Sequence, residues 1–284
     1  MNFRIQDDIE SVIEILDMTQ TQLAAALGVS RVTVNNWISG KVQINEANMR
    51  SFYEYAFDQG VRLNRIKAQF YLEETAGHDV LLFHGAKTCI DGQVGLNYNK
   101  KINDFGNGFY CGESLEQSVM FVSAYPESSL YILRFTPEGL KPLRFEVNRD
   151  WMLMVAFHRG RLKDYENAEL VKTLIEKVKD ADYIIAPIAD NRMFEIIDSF
   201  IDGEITDVQC QHCLSATDLG KQYVFTSQRA LNHVTLLERC FLANAEKKHY
   251  LNSRQESFLV NQDKVKLARR QYRNQGNYIE DLLK

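Results

Sequence analysis

Apolar positions near the start of the chain recur at helical spacing. Ile9, Val12, Ile13 and Leu16 form one such face and predict a first helix. Thr19, with Gln22 three residues on, has the form of a capping box and opens a second helix over residues 20–27, which Gly28 ends. Ser30 caps a third over residues 31–38. There Val34 and Trp37 point to a core, while Arg31, Thr33, Asn35 and Asn36 project elsewhere, and Gly40 closes the segment. Helical spacing continues through Ala47, Phe52, Tyr55 and Ala56, breaks at Gly60, and resumes through Val61, Leu63, Ile66, Phe70 and Leu72. Polar residues and a glycine then crowd residues 73–79, a candidate domain boundary.

Beyond residue 80 the period changes. Short apolar blocks at 80–83, 129–135, 142–145, 183–186 and 222–227 predict strands, with helical runs at 113–122, 168–179 and 190–201 between them. Residues 245–284 are polar and helical in composition. The chain therefore divides into an all-α segment with a connector helix (1–75), a mixed segment (79–240) and a helical tail (241–284), an α+β protein.

Composition changes this picture in three ways. Four prolines and 45% hydrophobic residues fit globular domains rather than long linkers. No apolar run has the ~18 residues a membrane span needs, and no signal segment opens the chain, so no membrane partner and a cytoplasmic location are expected. Five cysteines in no regular framework predict reduced thiols, and Cys210-Gln211-His212-Cys213 lacks the second pair a structural zinc site requires, so no metal is expected. The net charge of −5 is uneven: residues 246–284 carry nine Lys/Arg against five Asp/Glu, and residues 1–75 seven against ten.

Candidate chemistry gathers around two runs. Val80-Leu81-Leu82-Phe83 delivers His84 and Gly85, and glycine lets a ligand approach the backbone. Asp104-Phe105-Gly106-Asn107-Gly108 then sets Phe109 and Tyr110 at the mouth of a loop. Asp190 and Arg192 follow an apolar strand directly. They either meet a pyrophosphate or form a salt bridge capping the next helix. His158 and Arg159, beside Gly160, are further phosphate candidates, whereas Trp151, Phe157, Phe194, Ile197 and Phe200 read as core. The Lys266, Arg269, Arg270 and Arg273 cluster either holds nucleic acid or forms a solvated helix face.

Thr19-Gln20-x-x-Leu23-Ala24-x-x-Leu27-Gly28-Val29-Ser30 through Trp37-Ile38-Ser39-Gly40 resembles the phage-repressor-like (XRE-type) helix-turn-helix family over residues 9–62. The resemblance implies DNA as a partner, with the third helix in the major groove, Arg31, Thr33, Asn35 and Asn36 toward the bases and Lys41 near phosphate. A helical bundle kept for dimerisation or partner binding is the alternative.

Four ordered segments, Leu82-Phe83-His84-Gly85, Asp104 to Tyr110, Ile188-Ala189-Asp190-Asn191-Arg192 and Leu219-Gly220-Lys221-Gln222-Tyr223-Val224-Phe225, resemble the ADP-ribosyltransferase superfamily, and within it an uncharacterised bacterial branch, over residues 79–238. That likeness implies a split β-sandwich binding NAD, as substrate, between two sheets. On it, His84 bonds the adenosine ribose, the Gly85 backbone pairs with the nicotinamide amide, Tyr110 stacks on the nicotinamide ring, and Gln222 stands at the third catalytic position. Asp104, Gly108, Phe109, Asp190 and Arg192 complete the implied NAD contacts. Many active members carry glutamate where Gln222 stands, and glutamine cannot take a proton. The implied activity is mono-ADP-ribosylation of a protein or nucleic-acid acceptor by a toxin-like or phage-defence effector, with a cognate antitoxin and a homodimer as candidate partners. The alternative is a transcription regulator that binds NAD or ADP-ribose without catalysis.

Overall fold

The protein, seen in a computed structural model, is described over residues 3–90, 94–96 and 103–283. The N-terminal helices follow the local signals. They are α1 (Ile5–Ile15), α2 (Gln20–Ala26), α3 (Arg31–Ile38), α4 (Glu46–Asp58) and α5 (Leu63–Glu74). Thr19 closes a capping box with Gln22, and the Ser30 and Asn45 side chains accept the backbone N–H of Thr33 and Asn48. Gly28 and Gly40 both adopt φ +67°, the left-handed conformation that ends α2 and α3 at low cost. Ile9, Val12, Leu23, Val34, Trp37, Phe52 and Ala56 close a shared core.

The chain then adds β1 (Val80–Ala86), β2 (Phe109–Gly112), α6 (Leu115–Val122), β3 (Ser129–Phe135), β4 (Pro142–Arg144), α7 (Arg149–His158), α8 (Glu169–Lys179), β5 (Tyr183–Pro187), α9 (Asn191–Ile201), α10 (Asp207–Ser215), β6 (Lys221–Phe225), α11 (Gln228–Leu231), β7 (Val234–Phe241), α12 (Asn244–Gln271) and α13 (Ile279–Leu283). The five predicted strands are present with small boundary shifts. β7 escapes the apolar-block reading because Glu238 and Arg239 interrupt it. α7 escapes it too, since Trp151 to Ala156 are all buried and an all-round apolar helix shows no 3.6-residue period.

Two compact units result. The first joins Met1–Gly92, Leu115–Phe135 and Thr235–Ser253. In it β1 pairs antiparallel with β3, from Val80 opposite Phe135 to Ala86 opposite Ser129, and β7 lies on the other side of β3. Leu81, Phe83, Val119, Leu130, Ile132, Cys240 and Tyr250 fill the core under these strands. The second unit joins Gln93–Ser114, Thr136–Val234 and Arg254–Lys284. Its strands run β4-β5-β6-β2, with β4 and β5 parallel and the other pairs antiparallel. Their core is built on α7, with Leu174, Ile197, Phe200 and Leu214 around it. The basic tail ends inside this core, because Ile279 and Leu283 of α13 are buried there. No helix among the described residues is long and apolar enough to cross a membrane.

Candidate functional site

In the helix-turn-helix, α3 presents Arg31 and Asn35 to solvent, with Lys41 exposed just beyond it and Asn36 half-buried. Thr33 is partly used locally: its N–H donates to Ser30 Oγ at 3.1 Å and the two hydroxyls lie 2.8 Å apart. Val32, 67% exposed, is a presented residue that the periodicity argument passes over. Its signal was a valine off the face set by Val34 and Trp37. Its apolar side chain suits a thymine methyl, as Arg suits guanine and Asn adenine.

The second unit holds a buried polar centre assembled from distant segments. In the β2–β6 register Tyr110 faces Val224 and Gly112 faces Gln222, so Tyr110 and Gln222 share one face of the strands. Over that face folds the loop carrying Asp104. Tyr110 Oη accepts the Phe105 N–H at 3.1 Å and donates to the Gly106 carbonyl at 2.9 Å. Burial pushes this phenol well above its usual range, so it stays protonated.

Asp104 is only 5% exposed, and both its oxygens are engaged. Oδ1 accepts from Arg159 Nε and Nη2 at 3.1 and 2.6 Å, while Oδ2 accepts the Ala189 N–H at 3.0 Å and Gln222 Nε2 at 2.8 Å. Gln222 Nε2 also donates to the Pro187 carbonyl at 2.9 Å. Arg159 reaches the Ala189 carbonyl as well and lies over the Phe194 ring, 4.3 Å from its centroid. Next to it, burial drives the His158 imidazole down to about 4, so this ring is neutral at physiological pH.

Several expected ligand contacts are used by the protein itself. The Asp190 carboxylate caps α9, accepting the Arg192 and Met193 N–H groups at 3.0 Å each, and Arg192 Nε lies 3.9 Å from it. A helix start whose donors meet its own carboxylate has little left to offer a phosphate. Phe109 is 1% exposed and stacks at 6.4 Å on Phe225 in the core. A Cβ at Gly108 would stand 2.9 Å from Val224 Cγ1 and 3.0 Å from the Phe225 carbonyl, so strand packing alone demands glycine there.

His84 and Gly85 belong to β1 in the first unit. His84 is half-buried opposite Tyr131, with ring centroids 6.5 Å apart. A Cβ at Gly85 would meet the Ser118 carbonyl at 2.3 Å, so the approach of α6 requires that glycine. Cys210 and Cys213 donate to the Ile196 and Val265 carbonyls, and His212 stacks on Tyr272 at 3.5 Å. No group of three or more His, Cys, Asp or Glu suited to a metal occurs among the described residues.

A second buried centre, in the first unit, went unread in the sequence. Lys67 of α5 lies 2.6 Å from Asp8 Oδ1 on α1 and 2.7 Å from Glu238 Oε1 on β7, with Tyr53 Oη donating to Asp8 at 2.5 Å and Tyr71 Oη to Glu238 at 2.9 Å. Burial opposes the Lys67 charge, but the two carboxylates outweigh it and hold its pKa above the usual value. Nearby, Asn64 donates to Glu246 at 2.9 Å, and burial raises that carboxyl to about 7. Only Glu238 carried a sequence signal, as a charge inside the mainly apolar β7, because α1 and α5 hold several other charged residues beside Asp8 and Lys67.

Comparison with known proteins sorts these regions. No curated protein and no solved structure matches the chain. The helix-turn-helix family matches residues 9–51, which makes the N-terminal region a DNA-binding domain of that kind. A second family, described as "Protein of unknown function (DUF3990)", matches residues 80–236, the stretch that holds His84, the Asp104 centre and Gln222. That match covers more than half of the 284 residues, and the chain belongs to the DUF3990 family.

Proposed function

We propose that the chain is a mono-ADP-ribosyltransferase that transfers ADP-ribose from NAD to a protein or nucleic-acid acceptor, on a split β-sandwich fold, and that its helix-turn-helix binds DNA. The observation that carries this reading is convergence. Three of the four segments on which the likeness rests, separated by up to 118 residues, share one hydrogen-bonded centre at Asp104, Ala189 and Gln222. Tyr110 lies on the same strand face as Gln222.

The residues suit the chemistry. Cleaving the nicotinamide bond builds positive charge on the ribose, and acceptors that orient its hydroxyls stabilise that state. Gln222 supplies such an acceptor. Tyr110 supplies an aromatic face whose hydroxyl is already satisfied, and so fixed, by the Asp104 loop. Arg192 offers a cation for the pyrophosphate, with side-chain exposure of 29%. Because Gln222 cannot take a proton, an acceptor atom that is already nucleophilic, such as a nucleobase nitrogen, fits best. A toxin-like or phage-defence effector that represses its own promoter would unite both regions.

The test is incubation of the purified protein with labelled NAD and lysate. Label on an acceptor, lost in Gln222→Ala and in His84→Ala, supports the reading. Absence of both label and nicotinamide release removes it. The alternative, a regulator that binds NAD or ADP-ribose without turnover, is favoured by one observation: the Asp104 carboxylate in the centre is fully engaged by protein donors. Retained NAD binding with no turnover would select it.

A further inference from the structure

We infer that Asp104 and Arg159 are positioning residues that lock the Gln222 amide in one orientation, so that a neutral oxygen is the only polar atom position 222 can offer and a glutamate cannot replace it while Asp104 is ionised. This rests on the reading of Gln222 as a ribose contact. The orientation follows from the partners. Both atoms bonded at Nε2, Asp104 Oδ2 and the Pro187 carbonyl, are acceptors, so the NH2 end must face them. Its two hydrogens are then used, and Oε1 alone remains.

The lock is itself held. Four N–H···O bonds from three residues fill the two Asp104 oxygens, and the guanidinium that supplies two of them also binds the Ala189 carbonyl and packs on Phe194. Asp104 can neither rotate nor move without breaking several of these bonds. A carboxylate at 222 would replace the NH2 group 2.8 Å from Asp104 Oδ2 and 2.9 Å from the Pro187 carbonyl, setting acceptor against acceptor. Even a protonated carboxyl would bring one hydrogen for these two acceptors. The glutamine is then a consequence of the aspartate 118 residues earlier, and the two positions form one unit.

The test is a double-mutant cycle on the full chain with Asp104→Asn, Gln222→Glu and the pair, read by NAD turnover and by thermal melting. Gln222→Glu alone should lose activity about 100-fold, the scale of a misplaced contact, and should melt below the wild type at pH 8. Adding Asp104→Asn, which removes the facing charge, should recover at least about tenfold of that loss and raise the melting temperature again. Asp104→Asn alone should lower kcat about tenfold with KM for NAD nearly unchanged, a split that a purely structural role would not give. Additive effects in both readouts would overturn the inference, as would full activity in Gln222→Glu. A wild type without NAD turnover would remove the proposed function but leave the melting cycle to decide this inference. If Gln222→Glu does not fold, folding of the double variant supports the coupling, and its failure overturns it.

Discussion

Two buried charged centres, one in each compact unit, solve the same problem with opposite stoichiometry. In the first, a single cation, Lys67, serves two carboxylates on different elements, Asp8 of α1 and Glu238 of β7. In the second, a single carboxylate, Asp104, is served by one cation and by two neutral donors, the Ala189 N–H and the Gln222 amide. Burying a charge is costly unless it is paired and fully hydrogen-bonded. Where one ion bridges two of opposite sign, its loss takes the counter-charge from both and leaves each a phenol donor, Tyr53 for Asp8 and Tyr71 for Glu238. Where neutral dipoles share the work, part of the solvation survives the loss of the ion. The first centre therefore acts as a fastener between the helix-turn-helix, α5 and β7, while the second can spend its arrangement on orienting a side chain.

The largest effect should come from Lys67→Met. It leaves two buried carboxylates without a cation and should cost about 3–5 kcal/mol in urea unfolding. Operator binding should be lost along with it, since Asp8 belongs to the helix-turn-helix. Arg159→Met should cost less, about 2–3 kcal/mol, because Asp104 keeps the Ala189 and Gln222 donors. Equal losses in the two variants would erase the contrast drawn between the centres.

pH sharpens the comparison, because burial displaces the Glu246 carboxyl in the first unit and the His158 imidazole in the second. The Glu246 carboxyl rises from 4.5 to about 7, so the folded form holds its proton longer than the unfolded chain. Its contribution is fully present below about pH 4.5 and is lost as pH rises to about 7. The His158 imidazole falls from 6.5 to about 4, so the unfolded chain takes up the proton first, and stability grows as pH rises between those values. Urea unfolding from pH 5 to 8 should show Glu246→Gln removing the high-pH loss, by about 1–3 kcal/mol at pH 8, and His158→Gln removing the acid-side loss. Identical pH curves for wild type and either variant would refute the corresponding assignment. The smallest change expected is Tyr110→Phe, about 1 kcal/mol by thermal melting, from two hydrogen bonds to the Asp104 loop. Tyr53→Phe, which removes a donor to a buried carboxylate, should cost more, about 1.5–3 kcal/mol.

Much of the fold is legible in the sequence, most completely where the deciding forces are local. Thr19 and Gln22 meet within one turn, Ser30 reaches Thr33, and Gly28 ends α2 by its own backbone freedom, so the helix-turn-helix follows from neighbours in sequence. The strands at 129–135 and 183–187 are apolar blocks and announce themselves. The candidate site was read only in pieces. His84, Asp104, Tyr110 and Gln222 could be named as polar residues in suggestive settings, but nothing in the sequence says that Gln222 gives its hydrogens to Asp104. Nor does it say that Arg159 is the cation that balances that carboxylate.

Local sequence sets the helical N-terminal region, its caps, the period change near residue 80 and the polar residues available for chemistry. Which of those residues are engaged by the protein itself depends on how distant elements pack. Gly85 and Gly108, suited to a ligand approaching the backbone, are required in any case by Ser118 and by Val224 and Phe225. Asp190 answers its own helix, and Lys67 is a fastener rather than a surface charge. The reason is range. Capping and periodicity act over three or four residues, whereas the partner of a buried charge is chosen by which elements pack together, and in this chain those partners lie as many as 118 residues apart in the Asp104 centre.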